Sequence, residues 1–227
     1  MFIAAYSVHL CTSFLPRTLI ILVFLALGFT QAQESSSLGY KPSSFYTFSW
    51  NMAFPMGDFY DWVGEAGLAG FDIGGRYFVK NGLAVGFNIS WDRVAAEYSG
   101  ETYTVPDKGV AIAATNYRFS WMVPFQAIVA YHFIPEKAIS PYVGLGIGGD
   151  YMEHHLMIQE YDIYEERWDF SLTPEIGALA KFGNFSNWEA IVSLGYKWTT
   201  DKIEFYQKTS SNLSMLNLKV GLAYIIR

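Results

Sequence analysis

Ten ionisable side chains recur at alternate positions within otherwise apolar stretches: Asp72, Arg76, Asp92, Arg118, Asp150, Glu175, Lys181, Glu189, Lys197 and Lys219. Five acids and five bases interleaved in this way suit ion pairing, because a charge taken out of water is tolerable only when it is paired and hydrogen-bonded. Folding the chain back over 183–188 brings Lys181 near Glu189 and Glu175 near Lys197, so a salt-bridged network is expected. A gated conduit in which those pairs exchange partners is the functional alternative. A second group, Glu153, His154, His155, Glu160, Asp162, Glu165 and Glu166, offers carboxylates and imidazoles to a divalent cation. It lacks compact ligand spacing and reads as a hydrated acidic loop. A catalytic base must lie within hydrogen-bond reach of its nucleophile, and neither His154 nor His155 stands in a His-x-Ser arrangement. His132 is placed at the opposite end of its strand. No catalytic residue, metal or cofactor is expected.

The elements that position these charges begin after an export signal. Arg17 precedes an apolar run from Leu19 to Phe29, closed by Thr30, Gln31 and Ala32. That run is roughly half the ~20 residues a membrane helix needs, and the pattern predicts cleavage after Ala32. The single cysteine, Cys11, and His9 leave with residues 1–32, so no disulfide is expected. Residues 33–44 form a short segment before the main domain, 45–227. Of the 227 residues 52% are hydrophobic and only 16% charged, against about a quarter charged in soluble domains. Part of the surface must therefore meet something other than water. The net charge of -6 provides no basic footprint for nucleic acid.

From Phe45 onward the hydrophobic period is two, the signature of strands. Eight segments are predicted, near 45–54, 68–79, 83–92, 117–133, 141–151, 170–182, 189–200 and 213–226. Their bulky apolar face, which includes Trp50, Trp91, Trp121, Tyr196, Trp198 and Tyr224, carries no charge. The charged face is small, rich in glycine, alanine and serine. A soluble sandwich or barrel would point its bulky face inward; here small polar residues suit a narrow interior and large apolar ones suit lipid. Ten residues tilted by roughly 45° rise about 23 Å, which matches the apolar band of a membrane barrel. Links alternate as such barrels require, long at 55–67, 93–116, 152–169 and 201–212, short at 80–82, 134–140 and 183–188. Pro124 and Pro174 fall inside strands and each predicts a bulge. Phe59, Tyr60, Trp62, Tyr161, Tyr164 and Trp168 in the long links are expected to form an interfacial girdle or to contact a partner. Gly144, Gly146 and Gly149 satisfy a dinucleotide fingerprint only formally, since a strand continues where a helix is needed. Asn88, Asn184 and Asn212 match glycosylation acceptors, a motif common by chance.

With Pro141-Tyr142-Val143-Gly144-Leu145-Gly146-Ile147-Gly148, a glycine-alternating strand, the pattern resembles the small eight-stranded outer-membrane barrels of the OmpA and OmpX type. The resemblance covers nearly all of 45–227. It implies an all-β, up-and-down antiparallel transmembrane barrel, monomeric, in contact with outer-membrane lipid and lipopolysaccharide, with loops open to an extracellular partner. The implied role is envelope integrity or adhesion. A narrow channel for small or hydrophobic solutes is the alternative, and a lipid A-modifying enzyme a third. The family usually ends in an aromatic residue; here Ile225, Ile226 and Arg227 follow Tyr224.

Overall fold

The computed structural model describes residues 44–226 apart from 106–109, 136, 159–160, 183–186 and 206–207. The expected signal, the segment 33–43, Glu160 and the Asn184 acceptor lie outside the described residues. The elements are β1 (Ser44–Met56), α1 (Asp58–Val63), β2 (Gly67–Lys80), β3 (Leu83–Val105), β4 (Val110–His132), β5 (Ile139–Ile158), β6 (Tyr161–Lys181), β7 (Trp188–Thr199), β8 (Lys202–Phe205), β9 (Lys208–Ser211) and β10 (Ser214–Ile226).

Eight strands close into one barrel in the order β1-β10-β7-β6-β5-β4-β3-β2, every neighbouring pair antiparallel. Closure is made by β1 against β10, paired from Ser44↔Ile226 to Met56↔Ser214. The remaining two strands, β8 and β9, form a separate ribbon in the last long link. Closure leaves no edge through the paired zone, so the backbone polar groups there need no water. At the Asn81-Gly82 turn the positive φ falls on Gly82 (79°) alone, with a register shift at Phe78/Lys80.

The sequence expectation is corrected at three points. The links expected at 93–116 and 152–169 are largely strand: β3 and β4 each run for 23 residues. A strand of that length tilted by 45° rises about 54 Å, roughly twice the ~25 Å apolar band of a membrane barrel. The ladder, once begun, continues past the point where alternation fades, because pairing within the β3–β4 and β5–β6 hairpins replaces the amphipathic signal. Secondly, neither strand proline shifts the register. Ile89↔Phe125 and Asp92↔Met122 keep the same offset across Pro124, as do Leu172↔Trp198 and Glu175↔Gly195 across Pro174. Each proline skips pairs on one side and stays paired on the other, to Asp150 and Leu145 respectively. The missing N–H is thereby confined to one ladder.

The third correction concerns Phe59 and Trp62, which turn inward and are buried, while Tyr60 is exposed. Glycines in the left-handed region flank α1, Gly57 with φ 57° and Gly64 with φ 74°. They fold the helix back over the end of the barrel, where its aromatic face joins Val94, Met122, Met152 and Met215 in an apolar cluster. A second cluster, including Phe45, Phe78, Tyr142 and Ile191, closes the short-turn end. Glycine clears space for such rings in a narrow interior: a Cβ at Gly177 would lie 2.7 Å from the Tyr142 ring.

Candidate functional site

Between the two apolar clusters the inward positions are polar, and there the charges pair across the lumen. Arg76 on β2 donates to Glu175 on β6 at 2.6 Å. Lys197 on β7 reaches Asp92 on β3 at 3.2 Å and Asp150 on β5 at 2.8 Å. In the strand order, β2 lies four places from β6 in either direction, and β3 four places from β7. Both pairs therefore span the full width of the barrel. Lys219 bridges from β10 to Asp72 at 2.8 Å and approaches Glu175 at 3.9 Å. Asp72 also accepts from Asn88 at 2.9 Å and Ser90 at 2.7 Å, and Asp92 from Asn51 and Asn217. The Arg76 guanidinium lies 4.8 Å from the centroid of the Tyr142 ring, a cation–π contact that links the network to the lower apolar seal.

Asp72, Arg76, Arg118, Glu175, Glu189, Lys197 and Lys219 are all buried, and Lys181 is half-buried. Lys181 stands opposite Glu189 in the β6–β7 ladder. The expected neighbour of Glu175 is corrected: the residue opposite it is Gly195, and Lys197 turns to Asp92 and Asp150 instead. Hairpin folding places residues on adjacent strands, but lysine and arginine stems are long enough to prefer carboxylates on the far wall. Arg118 sits above the network, donating at 3.1 Å to the carbonyl of Trp62 at the end of α1, with its guanidinium 4.4 Å from the Tyr98 ring centroid.

On the outer face Trp50, Trp121, Tyr196 and Tyr224 are exposed, with Trp91 and Trp198 half-buried among them. Phe71, Trp91 and Trp121 form a run of ring contacts at 5.9 and 6.4 Å. Phe48 and Trp50 remain 63% and 61% exposed, an exposure a water-facing strand would not carry without cost.

The acidic stretch expected as a loop is instead strand, and its two histidines part company. His155 faces outward, bonded to Glu153 at 2.8 Å and Asp162 at 3.0 Å and stacked on Phe119. His154 is fully buried inside the barrel. Its Nδ1 lies 2.6 Å from Ser120 Oγ, and its Nε2 lies 2.5 Å from Asp201 Oδ2. Ser120 and His154 are opposite one another in the β4–β5 ladder, and Asp201 follows β7. The rings of Phe59 and Trp62 meet the imidazole edge-on at 6.4 and 5.7 Å. No sequence signal joins these three residues: Ser120 and His154 pair across the β4–β5 hairpin, where His154 falls in a stretch that reads as a link, and Asp201 arrives from the segment after β7, two strands further round the wall. His132 packs in the lower seal, 3.3 Å from Ser140 Oγ and stacked on Tyr142.

Asp201 lies beyond the end of β7. Burial raises the cost of its charge, but the hydrogen bond from His154 and the nearby charges of His154 and Arg167 outweigh it and hold the carboxyl below its usual range. Asp169 moves the other way, raised by burial and by the charge of Asp201. Arg167 stands between them, 3.5 Å from Asp201 and 3.7 Å from Asp169. No described group of three or more histidines, cysteines or carboxylates has metal-holding geometry.

No family model matches the chain, and no curated protein is similar to it. Among solved structures, a major outer membrane protein from Thermus thermophilus superposes with a TM-score of 0.53 at 12% identity, covering 81% of this chain and 99% of that one. The outer membrane protein OprG from Pseudomonas aeruginosa gives 0.53 at 10% identity, covering 82% and 96%. At such identities the likeness establishes the fold alone: a small closed antiparallel β-barrel of the kind these outer-membrane proteins adopt.

Proposed function

We propose that this protein is a sealed, monomeric barrel that strengthens the envelope and presents its long strands to an extracellular partner, after export and cleavage behind Ala32. The observation that carries this reading is the pair of full-width ion bridges, Arg76–Glu175 and Lys197–Asp92, stacked between two apolar clusters. Charges that cross a narrow lumen act as struts: separating either pair would leave an uncompensated buried charge, at a cost of about 3–5 kcal/mol. A conduit for small or hydrophobic solutes would have to break both bridges and lift α1 in each passage.

The outer face supports an assignment to lipid over the membrane-spanning part, with Trp50, Trp91, Trp121, Tyr196, Trp198 and Tyr224 in contact with acyl chains or lipopolysaccharide. Above that belt, β3–β4 and β5–β6 rise as paired hairpins carrying exposed Tyr117, Tyr164 and Trp168, aromatic anchors of the kind that dominate binding interfaces. Planar-bilayer recording tests the sealed state. The parent protein is expected to give no unitary steps, and Glu175→Ala with Lys197→Ala to introduce them when combined with Phe59→Ala and Trp62→Ala, which open the end that α1 covers. Steady conductance through the parent would overturn the sealed-barrel reading in favour of the conduit.

A further inference from the structure

The Ser120–His154–Asp201 chain is the arrangement that the structural role leaves unused. A nucleophile, a base and a carboxylate are joined in series at 2.6 and 2.5 Å, contributed by β4, β5 and the segment after β7. All three are buried. A structural hydrogen bond to buried Ser120 needs only one partner; here the imidazole is held from its other nitrogen by a carboxylate that is itself paired with Arg167. That third link orients the base and stabilises the imidazolium, which is the division of labour in a serine-hydrolase triad. The nitrogens are used in the reverse sense, with Nδ1 toward serine and Nε2 toward aspartate.

The cover over this chain is a separate short element. Helix α1 has left-handed glycines at both flanks, no side-chain cap at its start, and two aromatic side chains packed on the imidazole. Outward rotation about Gly57 and Gly64 would withdraw Phe59 and Trp62 together. The space they leave is bounded by Met122, Met152, Leu156 and Ile203, all apolar, with the serine hydroxyl at its polar end. Its chemistry fits an acyl chain ending in an ester. Arg118, two residues from Ser120 on the same inward face, donates to the Trp62 carbonyl while the cover is closed and would present that donor to a developing oxyanion once α1 moves.

We infer that Ser120, His154 and Asp201 form a latent site for hydrolysis of fatty-acyl esters, gated by α1. Ser120 Oγ attacks the acyl carbonyl as its proton passes to His154 Nδ1; the ester C–O bond breaks and the alcohol leaves with that proton. Water then attacks the acyl-serine, giving its proton to Nδ1, and Ser120 is reprotonated as the carboxylic acid departs. Asp201 is a positioning residue that accepts from Nε2–H throughout and is never protonated.

The test uses the full chain in detergent micelles, with folding checked by heat-dependent gel migration, and a fluorescent fluorophosphonate as probe. Labelling at Ser120 is expected, faster in Phe59→Ala/Trp62→Ala than in the parent and absent from Ser120→Ala in either background. His154→Gln should slow labelling of the opened protein by about a hundredfold or more, the contribution of a general base. The opened protein should also cleave long-chain p-nitrophenyl esters in preference to the acetate. A folded Phe59→Ala/Trp62→Ala protein that labels no faster than its own Ser120→Ala derivative overturns the proposal.

Discussion

Arg76 and Glu175 meet at 2.6 Å although 99 residues and half the circumference of the barrel separate them. Their contact, with Lys197–Asp92 beside it, makes the interior a cross-braced solid instead of a tube. Loss of one partner leaves the other charge buried without compensation, so Glu175→Ala should destabilise the folded state by about 3–5 kcal/mol. Arg76→Ala combined with Glu175→Ala should cost less than the sum of the single changes, with a coupling of about 1 kcal/mol or more. Denaturant unfolding in detergent reads both quantities; strict additivity would show that the bridge is incidental.

The narrowness of the interior predicts a sharp difference between two glycines. A methyl group at Gly177 would press on the Tyr142 ring and on the Val192 carbonyl, each at 2.7 Å, whereas at Gly149 the nearest atom is 3.8 Å away. Gly177→Ala should therefore cost about 1–3 kcal/mol, the usual penalty of overpacking, and Gly149→Ala very little. Thermal unfolding of the two variants side by side checks the contrast.

Acid should loosen the long-strand end of the barrel. The carboxyl of Asp201 is held below its usual range by His154 and Arg167, so its stabilisation is complete above its unfolded value of about 3.9 and is lost as pH falls through the lower folded value. Between roughly pH 4 and pH 2 the parent should lose melting temperature faster than Asp201→Asn, which lacks this titration. Parallel curves for the two proteins would assign the acid sensitivity elsewhere. Asp169, raised by burial and by the charge of Asp201, acts in the opposite sense and gains from protonation over a higher range.

The parts of this architecture legible in the sequence are those that depend on neighbours along a strand or across a hairpin. Alternation of Leu83, Val85, Phe87 and Ile89 with small residues announces a two-sided strand, and Lys181 stands opposite Glu189 in the β6–β7 ladder, as hairpin geometry requires. What depends on closure is silent. Nothing near Lys197 points to Asp92, because the two meet only after β7 and β3 take opposite walls. His154 is silent for another reason: it pairs with Ser120 across the β4–β5 hairpin, but its stretch reads as a link and so has no strand register, and Asp201 comes from the segment after β7, two strands further round the wall. Phe59 and Trp62 mislead differently: aromatics in a link read as surface anchors, and only the open apolar end of the lumen draws them inward. The outer halves of β3 and β4 are hidden because, past the lipid belt, no bulky face is required on either side.

Orientation of the wall is the premise on which the sealed barrel, the girdle and the covered triad all rest, and quenching of tryptophan fluorescence by lipids brominated along the acyl chain measures it directly. Two single-tryptophan proteins suffice, one retaining Trp50 on the outer face and one retaining Trp62 beneath the rim. In vesicles the Trp50 protein should be strongly quenched and the Trp62 protein should not. Quenching of Trp62 with Trp50 protected would mean that the bulky face points inward, and would contradict the account.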